Sequence, residues 1–348
     1  MISEYLIVGG GVAGFTIAQR LLLKGAGVTL VERGVTGKES SWAGGGILAP
    51  LCPWHYPDEV TRLTSVGAAL FPSWAEGLLA VTGIDPEYIV SGMQVLPSFE
   101  RPLARQWCDA HGFRLEENSD GLLLPEVAQV RNPRLIQALR KHVEMLGGLI
   151  VEQCEVRGIL MEDDKVRALS TSCGEFNAER YIVCAGAWSK EVLGQYALQL
   201  DIRPVRGQML LFKFDEPPLR HILLQDGMYL IPRRDGHLLV GSTLEDVGFD
   251  KATTDEARDS LWQRAQLLLP ALRDMPLVQH WSGLRPASPG NVPTIGRHPQ
   301  LENLYVNSGH FRYGVTMAPA SAEILLNELN GKAQPFDVSP YRAGWGGL

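Results

Sequence analysis

A glycine fingerprint near the start of the chain constrains the fold more than any other feature. Gly9, Gly11 and Gly14 have the spacing G-x-G-x-x-G, between the apolar run 5–8 and an apolar stretch that continues to about residue 24. In such a turn the first glycine makes the bend, the second lets the backbone approach a pyrophosphate, and the third lets a helix pack on a strand. The helix N-terminus adds partial positive charge. The pattern therefore predicts a βαβ unit that binds a dinucleotide.

An acidic residue ends the second predicted strand, residues 28–32, and supports this interpretation. Glu32 lies 18 residues after Gly14. A carboxylate at this position accepts hydrogen bonds from both hydroxyls of an adenosine ribose and repels a 2′-phosphate. The pattern thus favours FAD or NAD over NADP and leaves the choice between FAD and NAD open. The neighbours expected to contact the same nucleotide are Val12, Ala13 and Arg33.

Composition and charge exclude several classes of function. The 348 residues are 45% hydrophobic and 20% charged, which is typical of a globular chain long enough for two domains. The 32 basic and 39 acidic residues give a net charge of −7, which argues against a general nucleic-acid surface. No apolar run reaches the roughly 18 residues of a membrane-spanning helix. The five cysteines form no C-x-x-C pair, so we expect free thiols, a cytoplasmic protein and no metal site.

The order of the predicted elements indicates two domains, one of them discontinuous. Apolar strands typical of a parallel sheet recur late in the chain, at 181–185 and 304–306. Between them, the runs 209–214, 228–232 and 238–242 are separated by turn residues, which predicts an antiparallel sheet. The predicted domains are a cofactor-binding domain of residues 1–80, 131–202 and 277–348, and an inserted substrate-binding domain of residues 81–130 and 203–276.

Local signals predict the ends of several elements. Asn132, followed by proline, predicts the N-cap of a helix that continues to Gly147. Thr253 and Glu256 have the spacing of a capping box and predict a second helix. Residues 149–156 are predicted to form one strand. The glycine-rich loop 40–48 is predicted to be neither helix nor strand.

Further glycine-rich segments favour FAD over NAD. A nicotinamide dehydrogenase seldom needs a second glycine-rich loop, whereas residues 40–48 provide backbone for the flavin end of an extended FAD. The turns 185–188 and 309–316 each follow a predicted buried strand. A helix N-terminus at the second turn stabilises negative charge on the reduced ring if it points at the flavin. The residues expected to contact the cofactor here are Ser40, Ser41, Gly44, Gly45, Gly46, Ile47, Leu48, Val156, Ala185, Gly186, Trp188, Gly309, His310, Arg312, Tyr313, Gly314, Val315 and Thr316.

Together these motifs resemble the D-amino-acid oxidase superfamily of FAD-dependent oxidoreductases. The resemblance rests on the N-terminal unit, residues 41–48, the stretch 283–286 and the turn 309–314, and it covers nearly the whole chain. Within the superfamily the chain is most similar to bacterial glycine oxidases, including those of thiamine biosynthesis. The resemblance implies an α/β fold, with a Rossmann-like FAD-binding domain of the glutathione-reductase type and an inserted α+β substrate domain built on an antiparallel sheet.

The resemblance also implies an activity and three catalytic residues. The expected enzyme holds FAD non-covalently and oxidises a small amino acid or secondary amine. Hydride passes from Cα to flavin N5, the imine is hydrolysed to a 2-oxo acid and ammonia, and O₂ is reduced to hydrogen peroxide. The family's carboxylate-binding arginine is carried over to Arg285, its active-site tyrosine to Tyr229 and its second arginine near the flavin to Arg312.

Departures from the family's pattern leave the substrate open among glycine, sarcosine, a small D-amino acid and another secondary amine. Gly227 stands where family glycine oxidases often carry a histidine, and Leu244 where they carry a methionine. The last cysteine is Cys184, far from the C-terminal cysteine of covalent-flavin relatives. The alternatives are a D-amino-acid dehydrogenase that reduces a quinone and a flavoprotein of RNA modification. Neither a basic stripe nor an amphipathic segment supports a nucleic-acid or membrane partner; a homo-oligomer stays open.

Overall fold

The computed structural model describes residues 3–345, whose strands form two large sheets and two small ones. In chain order the strands are β1 (Ser3–Val8), β2 (Val28–Val31), β3 (Ile89–Val90), β4 (Met93–Val95), β5 (Glu116–Asn118), β6 (Gly121–Leu124), β7 (Ala128–Gln129), β8 (Leu149–Val151), β9 (Val156–Glu162), β10 (Lys165–Thr171), β11 (Gly174–Phe176), β12 (Ala178–Val183), β13 (Arg203–Lys213), β14 (Ile222–Gln225), β15 (Met228–Pro232), β16 (His237–Gly241), β17 (Gln279–Ala287), β18 (Thr294–Arg297) and β19 (Leu304–Ser308).

Eight α-helices lie among these strands in the described part of the chain. They are α1 (Val12–Leu22), α2 (Ser40–Ala43), α3 (Asp58–Thr82), α4 (Arg101–His111), α5 (Asn132–Met145), α6 (Ser189–Leu193), α7 (Asp255–Leu268) and α8 (Gly314–Leu329). Within residues 3–345 none of them combines the length and the apolar character that crossing a membrane requires.

The first large sheet has six strands in the order β18-β19-β12-β1-β2-β8, and all but β18 run parallel. Both faces of this sheet are covered. In β1, Tyr5 and Ile7 pack with α1, α3, α5 and α8, whereas Leu6 and Val8 pack on the opposite side with β10. A parallel strand buried on both faces needs a continuous apolar run, which is why the sequence predicts these strands well.

The turn between β1 and α1 depends on two glycines. Gly9 has φ of +109°, a conformation that favours glycine, and a Cβ there would fall on the carbonyl oxygen of Cys184. A Cβ on Gly14 would fall on the carbonyl oxygen of Gly9. The helix therefore starts in direct backbone contact with the end of the strand, and its N-terminus stands at the carboxyl edge of the sheet.

The second large sheet has eight strands in the order β17-β13-β16-β15-β14-β4-β6-β5. All its pairs are antiparallel except β14 with β4, so the predicted antiparallel sheet is confirmed. On one face, Leu210 and Phe212 pack with Leu261 of α7. On the other face, Met209 and Tyr229 belong to a second apolar cluster that includes Ala49 and Leu51, just after the glycine-rich loop.

The predicted domain boundary at residue 277 does not agree with the strand pairing of β17. The prediction assigned residues 277–348 to the cofactor-binding domain, but β17 pairs along its whole length with β13 of the eight-stranded sheet. A strand's partner is set by contacts distant in sequence, so the pattern of residues 279–287 does not reveal it. The remaining division into two domains stays a proposal.

Several predicted ends are corrected by the structure. The N-cap position of α5 is Arg131, which forms no side-chain capping bond, and Asn132 is the first helical residue, whose side-chain amide donates to the carbonyl of Ser41 at 2.9 Å. Helix α7 is capped by Thr254 rather than Thr253, and the Thr254 hydroxyl accepts from the backbone N–H of Ala257.

Two further predictions of local structure are wrong in part. The loop 40–48 begins with the short helix α2, because its glycines lie only in its second half, from residue 44 onward. The single strand predicted at 149–156 is two strands, β8 and β9, which belong to different sheets. Residues 152–155 between them, three of which are polar, belong to no strand, so the chain leaves the first sheet after Val151.

A matched pair of glycines in α3 tests how tightly this helix packs on α8. A Cβ on Gly67 would fall on the carbonyl oxygen of Thr316, whereas Gly77 has open space around it. We expect Gly67→Ala to lower the free energy of unfolding by about 1–3 kcal/mol because of overpacking. Gly77→Ala removes only backbone freedom and should raise it by about 0.5–1 kcal/mol. Urea unfolding of both variants measures this; equal effects would contradict the packing argument.

Candidate active site

A large cavity lies between the carboxyl ends of the parallel strands and the inner face of the eight-stranded sheet. Its wall includes the chain just after β1, β2 and β12, the glycine-rich loop 44–47, and the N-termini of α1 and α8. The opposite wall carries Tyr229 of β15 and Arg285 of β17. Ligands of open α/β sheets bind at this carboxyl edge.

Most of the predicted site residues lie on the wall of this cavity. Whether each of them contacts a cofactor stays a prediction, but residues distant in sequence meet here. They are Gly9, Gly11, Val12, Ala13, Glu32, Arg33, Ser40, Ser41, Gly44, Gly45, Gly46, Ile47, Val156, Ala185, Gly186, Trp188, Tyr229, Arg285, His310, Arg312, Tyr313, Gly314, Val315 and Thr316.

Three predicted residues lie behind the wall instead. Gly14 packs beneath the first turn, against the carbonyl of Gly9. Leu48 is buried in the core of the first sheet, and its backbone N–H donates to Ala128 at 2.9 Å. Gly309 has φ of +85° and packs against Ile202. These three shape the backbone of the cavity, and the structure gives them no direct place on its surface.

The end of the cavity near β2 fits the adenosine part of a dinucleotide. One oxygen of the Glu32 carboxylate accepts the backbone N–H of Gly10 at 2.8 Å, and the other accepts that of Gly34 at 2.9 Å. A carboxylate offers about four acceptor sites, so each oxygen can accept a further ribose hydroxyl. The first turn of α1 carries no acidic residue, which leaves its positive end available to phosphates.

Contacts between the loop after β2, the turn after β12 and the loop after β16 lie beside this end of the cavity. The guanidinium of Arg33 stacks over Trp188 at 3.5 Å, and Trp188 stacks on Phe249 at 5.4 Å between ring centroids. Glu39 forms ion pairs with Arg33 and with Lys251, both at 3.0 Å. We call these five residues the clasp. The sequence analysis missed Glu39, Phe249 and Lys251, because nothing local marks them.

The turn before α8 supplies an unpartnered polar group. His310 is 4% exposed, and its Nε2 has no hydrogen-bond partner among residues 3–345. Burial lowers the pKa of His310 to about 4, so the ring is neutral at physiological pH. No side chain caps α8, and its first turn carries no acidic residue. The unpartnered His310 nitrogen can form a hydrogen bond with a polar ring system, and the positive end of α8 favours a ring that carries negative charge.

The far wall carries Arg285 and the hydroxyl of Tyr229. Arg285 donates through Nη1 to the carbonyl of Thr243 at 3.2 Å and through Nη2 to the hydroxyl of Ser242 at 2.5 Å. Its guanidinium lies over Gly207 of β13, where a Cβ would collide with it. Tyr229 donates its hydroxyl hydrogen to the sulfur of Met209 at 3.3 Å. Ser242 and Gly207 carry no signal in the sequence, because both act through strands that pair far along the chain.

Neither Arg285 nor Arg312 forms an ion pair within the described part of the chain. Burial lowers the pKa of the Arg285 guanidinium, the Tyr229 hydroxyl opposes this shift, and the charge of Arg312 adds to it. Two neighbouring cations without a carboxylate are costly in a partly dry cavity. The arrangement is therefore suited to binding an anion.

Comparison with known proteins identifies the family. The chain matches the family described as FAD dependent oxidoreductase over residues 4–327. It is 42% identical to the glycine oxidase of Pseudomonas aeruginosa, over 98% of both chains. It is 31% identical to the bifunctional protein ThiO/ThiG of Trichormus variabilis, over 94% of this chain and 52% of that protein. The solved glycine oxidase of Geobacillus kaustophilus superposes with a TM-score of 0.91, at 26% identity and 97% coverage of each chain.

The chain belongs to the FAD-dependent oxidoreductase family of the D-amino-acid oxidase type. It is an enzyme, and FAD is its cofactor. The predicted family, the α/β fold with its Rossmann-like domain and the predicted cofactor are thereby confirmed. The cavity fits this group, because the glycine turn, the Glu32 carboxylate and the unpartnered His310 nitrogen lie along one continuous wall.

The cysteines on the cavity wall test how FAD is held. Cys154 and Cys184 both line the cavity, and burial raises the pKa of each thiol. A protonated thiol is a poor nucleophile, so we expect no covalent bond to the flavin. Precipitation of the protein with acid should leave all the yellow colour in the supernatant as FAD. Flavin that stays with the pellet would contradict non-covalent binding.

Proposed function

We propose that this enzyme is an oxidase of glycine or another small amino acid. It converts the amino acid to a 2-oxo acid and ammonia and reduces O₂ to hydrogen peroxide. The observation that carries the proposal is the half-buried Arg285 guanidinium, which has no acidic partner among residues 3–345 and faces the cofactor cavity. The relatives named glycine oxidase support the same reaction.

In this proposal Arg285 holds the substrate carboxylate. A guanidinium has five N–H donors in a planar fork, and two of them are used by Thr243 and Ser242. The three that remain can bind both carboxylate oxygens, which fixes the direction of the bond to Cα. The hydroxyl of Tyr229, whose present acceptor is only a thioether sulfur, supplies a further hydrogen bond.

The charges and walls of the cavity also select the form of the substrate. Arg285 and Arg312 disfavour a positively charged ammonium group, so the substrate amine is held in its neutral form. Ile47, Ala49 and Leu51 form an apolar part of the wall. A long polar side chain would lose its hydration there without a partner, which favours glycine and other small substrates.

FAD, when bound, accepts the hydride from Cα and passes the electrons to O₂. The protein orients Cα and excludes bulk water. Because hydride transfer needs no proton acceptor on the protein at Cα, the mechanism requires no general-base dyad. The clasp and the turn before α8 hold the cofactor in place. Arg312 completes the positive surface beside the substrate carboxylate.

We also propose a compartment and a pathway. All five cysteines are free, as expected for a protein of the reducing cytoplasm. The match to ThiO/ThiG supports a role in the thiazole branch of thiamine biosynthesis. A homo-oligomer stays a prediction.

A substrate screen tests the proposed oxidase. Peroxide formation is measured with glycine, sarcosine, D-alanine, D-proline and L-amino acids at equal concentration. Glycine or another small substrate should give the highest kcat/KM. Reduction of the flavin by glycine without peroxide, followed by slow reoxidation in air, would instead indicate a dehydrogenase. Reduction by none of these compounds would overturn the proposed substrate class.

Substitutions at Arg285 test its role in binding the carboxylate. Charged hydrogen bonds contribute about 1.5–3 kcal/mol each, so Arg285→Ala should lower kcat/KM at least about 100-fold. Arg285→Lys keeps the charge but loses the fork and should recover part of this loss. Tyr229→Phe should cost less than Arg285→Ala.

The exposed Arg203 of β13 provides a matched control, because it forms only a surface ion pair with Asp246. Arg203→Ala should keep normal kinetics, and the flavin-to-protein absorbance ratio should stay constant in all variants. If Arg285→Ala kept near-normal kcat/KM, the carboxylate would bind elsewhere, with Arg312 as the first residue to examine.

A further inference from the structure

A buried guanidinium lies behind the cofactor cavity, directly after the last residue of β15. Arg233 is 3% exposed, and its hydrogen bonds all go to neutral oxygens. Nη2 donates to the carbonyl of Gly45 at 2.7 Å, and Nη1 donates to the carbonyl of Val130 at 2.9 Å and to the side-chain oxygen of Gln129 at 2.6 Å. One side chain thus joins the eight-stranded sheet to the glycine-rich loop of the cavity.

The charge of Arg233 has no acidic partner in the described structure. The neighbouring acids are paired elsewhere, Asp235 with Arg131 and Asp85 with Arg234. Burial lowers the pKa of Arg233 to about 10, and the charge of Arg131 acts in the same direction. The charges of Glu87 and Asp235 oppose the shift without forming an ion pair with Arg233. At this pKa the guanidinium is still protonated at pH 7. An uncompensated cation costs stability that an apolar residue of similar volume would not. Packing alone therefore does not account for an arginine here.

The bond to Gly45 fixes the direction of one peptide group. The peptide between Gly45 and Gly46 is trans, so the N–H of Gly46 points away from the carbonyl that Arg233 holds. Both glycines lie on the cavity wall, and the N–H of Gly46 has no partner among residues 3–345. The carbonyl of Gly46 accepts from Val130 at 2.9 Å, which holds the loop at the next peptide as well.

Neighbouring packing leaves this loop little freedom to turn. Gly46 has φ of +74°, and a Cβ there would fall on the carbonyl oxygen of Val130. Gly45 packs against the ring of Tyr229, which belongs to the same strand as the residue before Arg233. Tyr229 contacts Gly45 itself, and Arg233 binds its carbonyl oxygen.

We propose that Arg233 is a positioning residue for FAD. It holds the carbonyl of Gly45 so that the N–H of Gly46 is directed into the cavity as a donor to the cofactor, and its charge polarises that peptide group. In a dry interior a cation behind the carbonyl strengthens the N–H as a donor. The donor stabilises the reduced cofactor, which carries more negative charge than the oxidised one. The proposal rests on the FAD cofactor and is independent of the proposed substrate.

Arg233 and its exposed neighbour Arg234 provide a matched pair for testing this role. For each purified holoprotein, the FAD dissociation constant and the midpoint reduction potential of the flavin are measured without substrate. Arg233→Met should weaken FAD binding at least about tenfold, since it removes charged hydrogen bonds. It should also shift the potential to more negative values. Arg233→Lys keeps the charge and should shift the potential less. Arg234→Met should leave both quantities unchanged.

A substitution at Gln129 separates the charge of Arg233 from its position. Gln129→Glu places a carboxylate on Arg233 and keeps the bond to Gly45, at the cost of the bond from Gln129 to the carbonyl of Pro232. We expect FAD binding within about threefold of the parent and a more negative potential. If Arg233→Met fails to fold, this variant and Arg233→Lys decide the question.

Two results would overturn the proposal. One is an Arg233→Met or Arg233→Lys holoprotein whose FAD affinity and potential both equal those of Arg234→Met. The other is an unchanged potential in Gln129→Glu, because then the charge does not act on the cofactor. Since no substrate is used, neither result depends on whether the enzyme oxidises glycine.

Discussion

Direct backbone contact at the carboxyl edge of the parallel sheet is the constraint on which the rest of the structure depends. Gly14 lets α1 start against the carbonyl of Gly9, and Gly9 in turn lies against the chain at the end of β12. Larger residues would push these segments apart and move the helix N-terminus from the sheet edge. The loop 44–47 and the turn before α8 then complete one continuous wall, so a long cofactor finds backbone along its whole length.

Positive charge without acidic partners distinguishes the other wall. The free-energy cost of burying an arginine is normally offset by an ion pair with a carboxylate, as in Arg206 with Glu245 and Asp250. Arg285 and Arg233 form no such ion pair in the described part of the chain. One faces the cavity and is available to an anion, and the other lies behind the loop and binds only carbonyl oxygens. The eight-stranded sheet thus brings these two arginines to the site, whereas the six-stranded sheet brings backbone together with Arg312 in the turn before α8.

Local chemistry explains which features could be predicted from the sequence. The glycine turn and the buried parallel strands depend on neighbouring residues and were predicted correctly, whereas the contact of Glu32 with the cofactor stays a prediction. Arg285, Tyr229 and Arg312 came from family resemblance, since their own surroundings in the sequence are unremarkable. Arg233 meets Gly45 across 188 residues, and Lys251 meets Glu39 across 212. Such contacts depend on how strands pair, as does the position of β17, and no short pattern encodes them.

The short strand β15 positions both Tyr229, within it, and Arg233, the residue that follows it. Both reach Gly45, Tyr229 through its ring and Arg233 through a hydrogen bond to the carbonyl oxygen. A slip of one residue in the pairing of β15 would turn both away together. If both proposed roles hold, an insertion or deletion in this strand would alter the substrate contact and the hold on the glycine-rich loop together.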